Sequence, residues 1–160
     1  MYEFIKNNVE SSDKIFLDAP NRNPLSFNEL HQKLEKVRNN FDNLSINRSD
    51  TVAIVLPNGP DLGFLFIACS CFAISAPLNP NYSKNEFKFY LSDLKAKFLI
   101  VDPDLKSEAS KAAFELGITI INLSFEQNIG SLNLAKDNGN SPIKNSSNYE
   151  NDTSLLLHTS

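Results

Sequence analysis

The strongest constraint on the fold is a run of apolar and β-branched residues, Thr-Val-Ala-Ile-Val-Leu at 51–56, which ends at the turn sequence Pro-Asn-Gly-Pro at 57–60. A run of this length without polar alternation is typical of a strand that is buried on both faces. An apolar helix is predicted to follow over residues 61–73. Because crossover helices cover both faces of a parallel sheet, this strand and helix together indicate parallel pairing.

The alternation of strands and helices continues to residue 121. Further strands are predicted at 14–18, 25–27, 75–78, 97–101 and 118–121, and the first two are predicted to form a hairpin. Helices are predicted at 2–10, from Ser26 or Asn28 to about Leu44, from Ser83 to about Leu94, and at 105–116. Ser83 and Glu86 have the spacing of a capping box, which marks a helix start. Helices of about 10–15 residues between short strands predict an α/β fold, built from βαβ units with a mostly parallel sheet.

Composition excludes several classes of function. The 160 residues carry a formal net charge of −4 and no clustered run of Lys or Arg, so no nucleic-acid partner is expected. The uncharged run Leu62–Leu78 is short for a bilayer and contains Ser70, Ser75 and Pro77, so we predict no membrane span. Because charged residues lie near the N-terminus, we expect no secretory signal, and the cytoplasm is the expected compartment.

The chain divides into three parts by composition. Residues 1–121 are predicted to form an α/β N-terminal subdomain. Residues 122–151 are rich in Ser, Asn, Gly and Lys and are predicted to be a loop or linker, although its length is unusual within a compact domain. Residues 152–160 are predicted to be a strand that leads into His158, Thr159 and Ser160.

No complete catalytic set is present, so no catalytic residue is predicted. The two histidines, His31 and His158, are too few for a histidine metal site, and the five glycines form no complete phosphate-binding loop. Cys69 and Cys71 are separated by about 200° on a helix, so we interpret them as small buried residues and predict no metal site. A strand that leads into Thr-Ser is nevertheless how several phosphate loops begin.

Four segments, taken in order, resemble the adenylate-forming, or AMP-binding, superfamily of acyl-CoA synthetases, adenylation domains and luciferases. They are Leu-Ser-Phe-Asn-Glu-Leu at 25–30, Ser-Asp-Thr-Val-Ala-Ile-Val-Leu-Pro-Asn at 49–58, Ala-Ile-Ser-Ala-Pro-Leu-Asn-Pro at 73–80, and Asp-Thr-Ser-Leu-Leu-Leu-His-Thr-Ser at 152–160. Ala73 stands where Gly is usual in the family. Segments 76–79, 86–93 and 158–160 also resemble the oxalate–CoA ligase branch, near the coumarate–CoA ligase-like enzymes.

The resemblance implies a two-step ligase reaction. A small carboxylic acid attacks ATP to give an acyl-adenylate, and coenzyme A then displaces AMP, with Mg²⁺ neutralising polyphosphate charge. Thr159 and Ser160 would contact the β- and γ-phosphates of ATP. His158 would either pack under the loop or contact the adenylate or pantetheine channel. The rest of the loop, the acyl pocket and the catalytic lysine are not in this sequence, so we expect an N-terminal fragment that lacks its C-terminal remainder and is inactive alone.

Two alternatives remain open at this point. The chain could belong to an adenylation domain that loads an amino acid onto a carrier protein, and residues after the phosphate loop would distinguish the two. It could also be a stand-alone α/β module that binds a nucleotide or a partner. A stand-alone module is expected to have a polar C-terminal tail, whereas this sequence ends on an apolar strand.

Overall fold

The computed structural model describes residues 1–8, 12–103, 108–137 and 155–156. In chain order the elements are α1 (Tyr2–Asn8), β1 (Ile15–Leu17), β2 (Leu25–Ser26), α2 (Phe27–Asn43), β3 (Thr51–Val55), α3 (Pro60–Phe72), β4 (Ile74–Pro77), α4 (Lys84–Asp93), β5 (Phe98–Val101), α5 (Glu108–Glu115), β6 (Thr119–Phe125) and β7 (Leu132–Lys136).

The main sheet has the strand order β4-β3-β5-β6-β7. Strands β4, β3, β5 and β6 are parallel, and β7 pairs antiparallel with β6. All five residues of β3 are buried, as expected for a central strand covered on both faces. The predicted α/β class and mostly parallel sheet are therefore confirmed.

Helices cover the two faces of this sheet in two separate cores. On the α2/α3 face, Val52 and Ile54 of β3 pack with Phe64 and Leu65 of α3. On the α4/α5 face, Ala53 and Val55 join a core that includes Phe87 and Leu91 of α4, together with alanines of α5. The chain runs from β3 to β4 through α3 and then returns past β3 to β5 through α4. Crossovers in opposite directions place their helices on opposite faces when both are right-handed.

The hairpin and the start of α2 follow the sequence prediction. β1 and β2 pair antiparallel. Of the two candidate caps, Ser26 is the N-cap residue, and it forms a reciprocal capping box with Glu29. The predicted apolar stripe of α2 is buried at Leu30, Leu34, Val37 and Phe41. These contacts fix the hairpin and α2 against the sheet.

The prediction of a loop from residue 122 is wrong for residues 122–125 and 132–136. Strand β6 continues to Phe125, and β7 pairs with it from Leu132 to Lys136. The sequence did not indicate this strand because three of its five residues are exposed and carry no apolar pattern, namely Asn133, Ala135 and Lys136. An edge strand can be short of apolar residues and still pair. Residues 138–151 lie outside the described part of the chain, and the division at residue 121 remains a prediction.

The long apolar run is divided between two elements. Helix α3 ends at Phe72, and β4 begins at Ile74. Among the described residues, no helix is long and apolar enough to cross a bilayer. Cys69 and Cys71 are free and buried, as predicted.

Candidate functional site

The parallel strands β3, β4, β5 and β6 all end at the same edge of the sheet, which we call the carboxyl edge. The turn 57–59 follows β3, residues 78–82 follow β4, and the β6–β7 loop 126–131 follows β6. In open α/β sheets, ligands bind in a crevice outside the carboxyl ends of the strands. The carboxyl edge is therefore the candidate functional site.

A sixth segment adds to the sheet beside β4. Leu155 forms a parallel bridge with Ser75, and the backbone N–H of Leu156 donates to the carbonyl oxygen of Ser75 at 3.0 Å. The side chain of Leu156 packs against the core of the α4/α5 face. These two residues belong to the strand predicted within residues 152–160, and their pairing runs in the direction of β4, towards the carboxyl edge.

The predicted phosphate-contacting residues are not among the described residues. His158, Thr159 and Ser160 all lie outside that part of the chain. Their assignment to phosphate binding therefore stays a prediction. What the structure describes is the two-residue segment Leu155–Leu156 that precedes them in sequence, and the edge of the sheet beside it.

Arg22 joins three distant segments at the carboxyl edge. Its Nη1 and Nη2 donate to the two carboxylate oxygens of Asp61, at 2.6 and 2.9 Å. Its Nε donates to the carbonyl oxygen of Gln127 at 3.1 Å, and Nη2 also donates to that of Glu126 at 3.0 Å. The hydrogen bonds with Asp61 raise the pKa of Arg22 above its usual value, so the guanidinium stays charged. We call this arrangement the Arg22 clamp; sequence reasoning missed it.

Residues after β4 form a second ordered part of the carboxyl edge. The backbone N–H of Asn81 donates to Oδ1 of Asn79 at 3.0 Å, an Asx turn that reverses the chain. Ser83 then caps α4 and forms the predicted capping box with Glu86. Tyr82 stacks on Tyr90, with ring centroids 4.8 Å apart. This turn therefore meets α4 in a fixed geometry.

Neither cysteine is an activated nucleophile, and the described residues contain no cluster of metal ligands. Burial raises the pKa of the Cys69 thiol and raises that of Cys71 to about 11, so both remain protonated at neutral pH. Within residues 1–8, 12–103, 108–137 and 155–156, no group of three His, Cys, Asp or Glu residues could hold a metal ion. That no residue of this chain is catalytic or binds a metal stays a prediction.

A cleft of about 620 Å³ lies at the opposite edge of the sheet. Residues of α1, the last turns of α2 and α3, and the loop before β3 line it, including Arg38, Asp42, Arg48 and Phe72. Arg48 donates through Nη1 to the carbonyl oxygen of Cys71 at 2.9 Å, so this charged side chain caps the C-terminal end of α3. The cleft is separate from the carboxyl edge.

Comparison with known proteins gives related sequences and a shared fold. A probable CoA ligase, CCL9 of Humulus lupulus, is 32% identical over 143 residues, which are 84% of this chain and 27% of that protein. The oxalate–CoA ligase of Saccharomyces cerevisiae is 35% identical over 141 residues, 72% of this chain and 26% of that protein. The chain thus spans about a quarter of the length of these curated relatives.

The structure of apo MatB from Rhodopseudomonas palustris superposes with a TM-score of 0.73, covering 99% of this chain and 32% of that one, at 18% identity. This likeness shows that this chain has the fold of the matched part of that structure. The family model described as AMP-binding enzyme matches residues 4–160. The chain therefore belongs to the AMP-binding enzyme family.

Proposed function

We propose that this chain is the first part of an ATP-dependent carboxylate–CoA ligase, which forms an acyl-adenylate and then an acyl-CoA. The observation that carries the proposal is the family match over residues 4–160, together with relatives that are named CoA ligases. Those names favour a ligase over an amino-acid adenylation domain. Since the chain spans about a quarter of these relatives, activity is proposed for a longer protein and not for this chain alone.

Thr159 and Ser160 are proposed to bind the β- and γ-phosphates of ATP, with His158 beside them. The support is the direction of Leu155–Leu156, which runs parallel to β4 towards the carboxyl edge. Hydroxyl groups and backbone N–H groups that follow such a strand are suited to surround an anion. A small carboxylic acid and coenzyme A are the proposed co-substrates.

The proposed reaction has two steps. An oxygen of the carboxylate attacks the α-phosphorus of ATP, the bond to the bridging oxygen breaks, and pyrophosphate leaves. The sulfur of coenzyme A then attacks the acyl carbonyl carbon, the bond to AMP breaks, and the thiol proton passes to solvent. Both steps need polyphosphate charge to be neutralised and held in line with the attacking atom.

Mg²⁺ would supply part of that neutralisation when bound. We propose that the metal is held chiefly through the phosphates, as is common for Mg²⁺. The proposed compartment is the cytoplasm, which suits two free buried cysteines.

The first test is ATP–pyrophosphate exchange with purified residues 1–160, for which we expect no turnover with any carboxylic acid. Turnover by this chain would overturn the expectation that it is a part and not a whole enzyme. The second test reads the gene beyond codon 160. We expect Gly-Thr-Thr followed within a few residues by Pro-Lys, and a stop codon would contradict the proposal.

The complete protein is then assayed for exchange with oxalate and 4-coumarate among a panel of acids, and for AMP release that depends on coenzyme A. Thr159→Val should raise the KM for ATP, because it removes a hydroxyl from the proposed phosphate contact. Thr153→Val, the same change six residues earlier, is the matched control. Absence of acid-dependent exchange in the complete protein would overturn the proposed function.

A further inference from the structure

We propose that Arg22 is a positioning residue for the ligand crevice at the carboxyl edge, because its clamp holds the turn that forms one wall of that crevice. The expected effect of the clamp on catalysis rests on the proposed function. The claim that the clamp fixes the turn 57–59 rests on contacts between described residues.

The strand order places the crevice between β3 and β5. These strands are neighbours in the sheet, but β3 continues into α3 on the α2/α3 face and β5 is followed by α5 on the α4/α5 face. Adjacent strands whose connections leave to opposite faces create a crevice, and this is where open α/β sheets bind ligands. Its two walls here are the turn 57–59 and residues 102–103.

The turn 57–59 has no side-chain cap of its own. Helix α3 begins at Pro60, and its N-cap residue, Gly59, has no side chain to accept a capping hydrogen bond. Asp61, two residues after Gly59, is the first residue after the turn whose side chain has a described partner, and that partner is Arg22. The position of the turn therefore depends on the clamp.

The clamp is anchored on its far side by the β6–β7 loop. Arg22 bonds to the carbonyl oxygens of Glu126 and Gln127, and two backbone hydrogen bonds add to these. The N–H of Asn23 donates to the carbonyl oxygen of Gln127 at 3.2 Å, and the N–H of Ile129 donates to the carbonyl oxygen of Asn23 at 3.1 Å. The ion pair is mostly shielded, with side-chain exposures of 21% for Arg22 and 16% for Asp61. A partly buried bidentate pair holds its geometry more firmly than an exposed one.

Only an arginine can make this set of contacts. The planar guanidinium donates at once to two carboxylate oxygens and two carbonyl oxygens that lie on separate segments, whereas a lysine ammonium acts as a point charge. The variant Arg22→Lys keeps the charge and removes the fork. Arg38→Lys is the matched control, since Arg38 lies half-exposed on α2 with Nη1 3.9 Å from Glu35.

Hydrogen–deuterium exchange on the 160-residue chain tests the structural part. In Arg22→Lys we expect the amides of Asn23, Gly63 and Ile129 to exchange about ten- to hundredfold faster, since loss of hydrogen bonds to a charged group opens the segments locally. Amides of β3 and β5, and all amides in Arg38→Lys, should keep their rates. Unchanged rates at Asn23 and Gly63, or equal acceleration throughout the sheet, would overturn the proposal.

Kinetics of the complete ligase test the catalytic consequence. Arg22→Lys should lower kcat in ATP–pyrophosphate exchange by about ten- to hundredfold, because misplacing a wall of the site disturbs alignment for reaction. The KM for ATP should stay within about threefold, since the clamp does not touch the proposed phosphate contact. A normal kcat in Arg22→Lys, with faster exchange at the turn, would refute the positioning role.

Failure of the proposed ligase function and failure of the proposed clamp give different results. If the unmodified complete protein shows no acid-dependent exchange, the proposed function fails, and the hydrogen-exchange result still decides whether the clamp holds the turn. Should Arg22→Lys fail to fold, Asp61→Asn replaces it, because it weakens the bidentate pair from the other side while leaving the carbonyl contacts of Arg22 in place. Slow exchange at the turn in Asp61→Asn would overturn the clamp.

Discussion

Gly130 lies directly against the ring of Phe64. A Cβ atom at Gly130 would be 3.2 Å from Cε2 of Phe64 and 3.3 Å from Cδ2, and Gly130 has a φ of +76°. Phe64 is fully buried and cannot move aside easily. The β6–β7 loop therefore reaches α3 only with glycine at this position.

We expect Gly130→Ala to destabilise the chain by about 1–3 kcal/mol, from backbone strain and the contact with Phe64. Gly63→Ala is the control, because no heavy atom lies within 4 Å of its added Cβ. Within α3 that change should stabilise by about 0.5–1 kcal/mol. Urea denaturation measures both, and equal stabilities for the two variants would show that the loop does not need the glycine.

The capping boxes predict how stability depends on pH. Hydrogen bonds from Ser83 lower the pKa of Glu86, those from Ser26 lower the pKa of Glu29, and those from Lys84 and Lys88 lower the pKa of Glu115. Because the folded values lie below the unfolded ones, the unfolded chain binds more protons. This stabilisation should therefore be present above the unfolded value of about 4.3 and be lost as pH falls below it, through the lower folded pKa values.

Glu86→Gln should make this loss shallower, as measured by urea midpoints between pH 7 and pH 3. The control is the same substitution in a Ser83→Ala background, which removes the hydroxyl half of the capping box. There Glu86→Gln should change the pH profile less, since only the backbone N–H of residue 83 still donates to the Glu86 carboxylate. Additive effects would argue against the capping box as the source.

Thr119 carries a buried hydroxyl without a hydrogen-bond partner among the described residues. It is the first residue of β6 and is 3% exposed. Thr119→Val keeps the shape and removes the unpaired oxygen, so we expect a gain of about 1 kcal/mol in the free energy of unfolding. Thr119→Ser keeps the hydroxyl and deletes the methyl group, and it should cost about 1 kcal/mol. The reverse order of the two variants would indicate a bound water or another partner for the hydroxyl.

The two cysteines should be inert in the folded chain. With the pKa of Cys71 at about 11, about one thousandth of that thiol is ionised at pH 8, and Cys69 is more deeply buried. Ellman's reagent should therefore react with neither residue until guanidinium unfolds the chain, after which both should react. Fast labelling of Cys71 alone under native conditions would mean that the cleft opens to it.

Local signals in the sequence were sufficient for most of the fold. The buried strand at Thr51–Val55, the hairpin at Leu25 and the capping box of Ser83 with Glu86 were all predicted, because each depends on neighbours within a few residues. Strand β7 was missed because its burial depends on β6 and not on its own composition.

The Arg22 clamp escaped prediction for a similar reason. Arg22 lies 39 residues before Asp61 and 104 residues before Glu126, and no spacing rule connects positions so far apart. For the candidate site, the resemblance gave Thr159 and Ser160 as phosphate contacts, and the strand directions in the structure located the carboxyl edge. The contacts that hold that edge together became visible only in three dimensions.

The pairing of Leu155 with Ser75 also bears on how the chain folds as it is made. The outer side of β4 is closed by a segment about eighty residues later in the sequence. At ribosomal rates, that side stays open for about 4–16 s after β4 has been synthesised. An unpaired strand edge is a template for aggregation, and closing so long a loop slows folding. Nascent chains should therefore need a chaperone most during this interval, when the sheet can form but its last neighbour has not yet been translated.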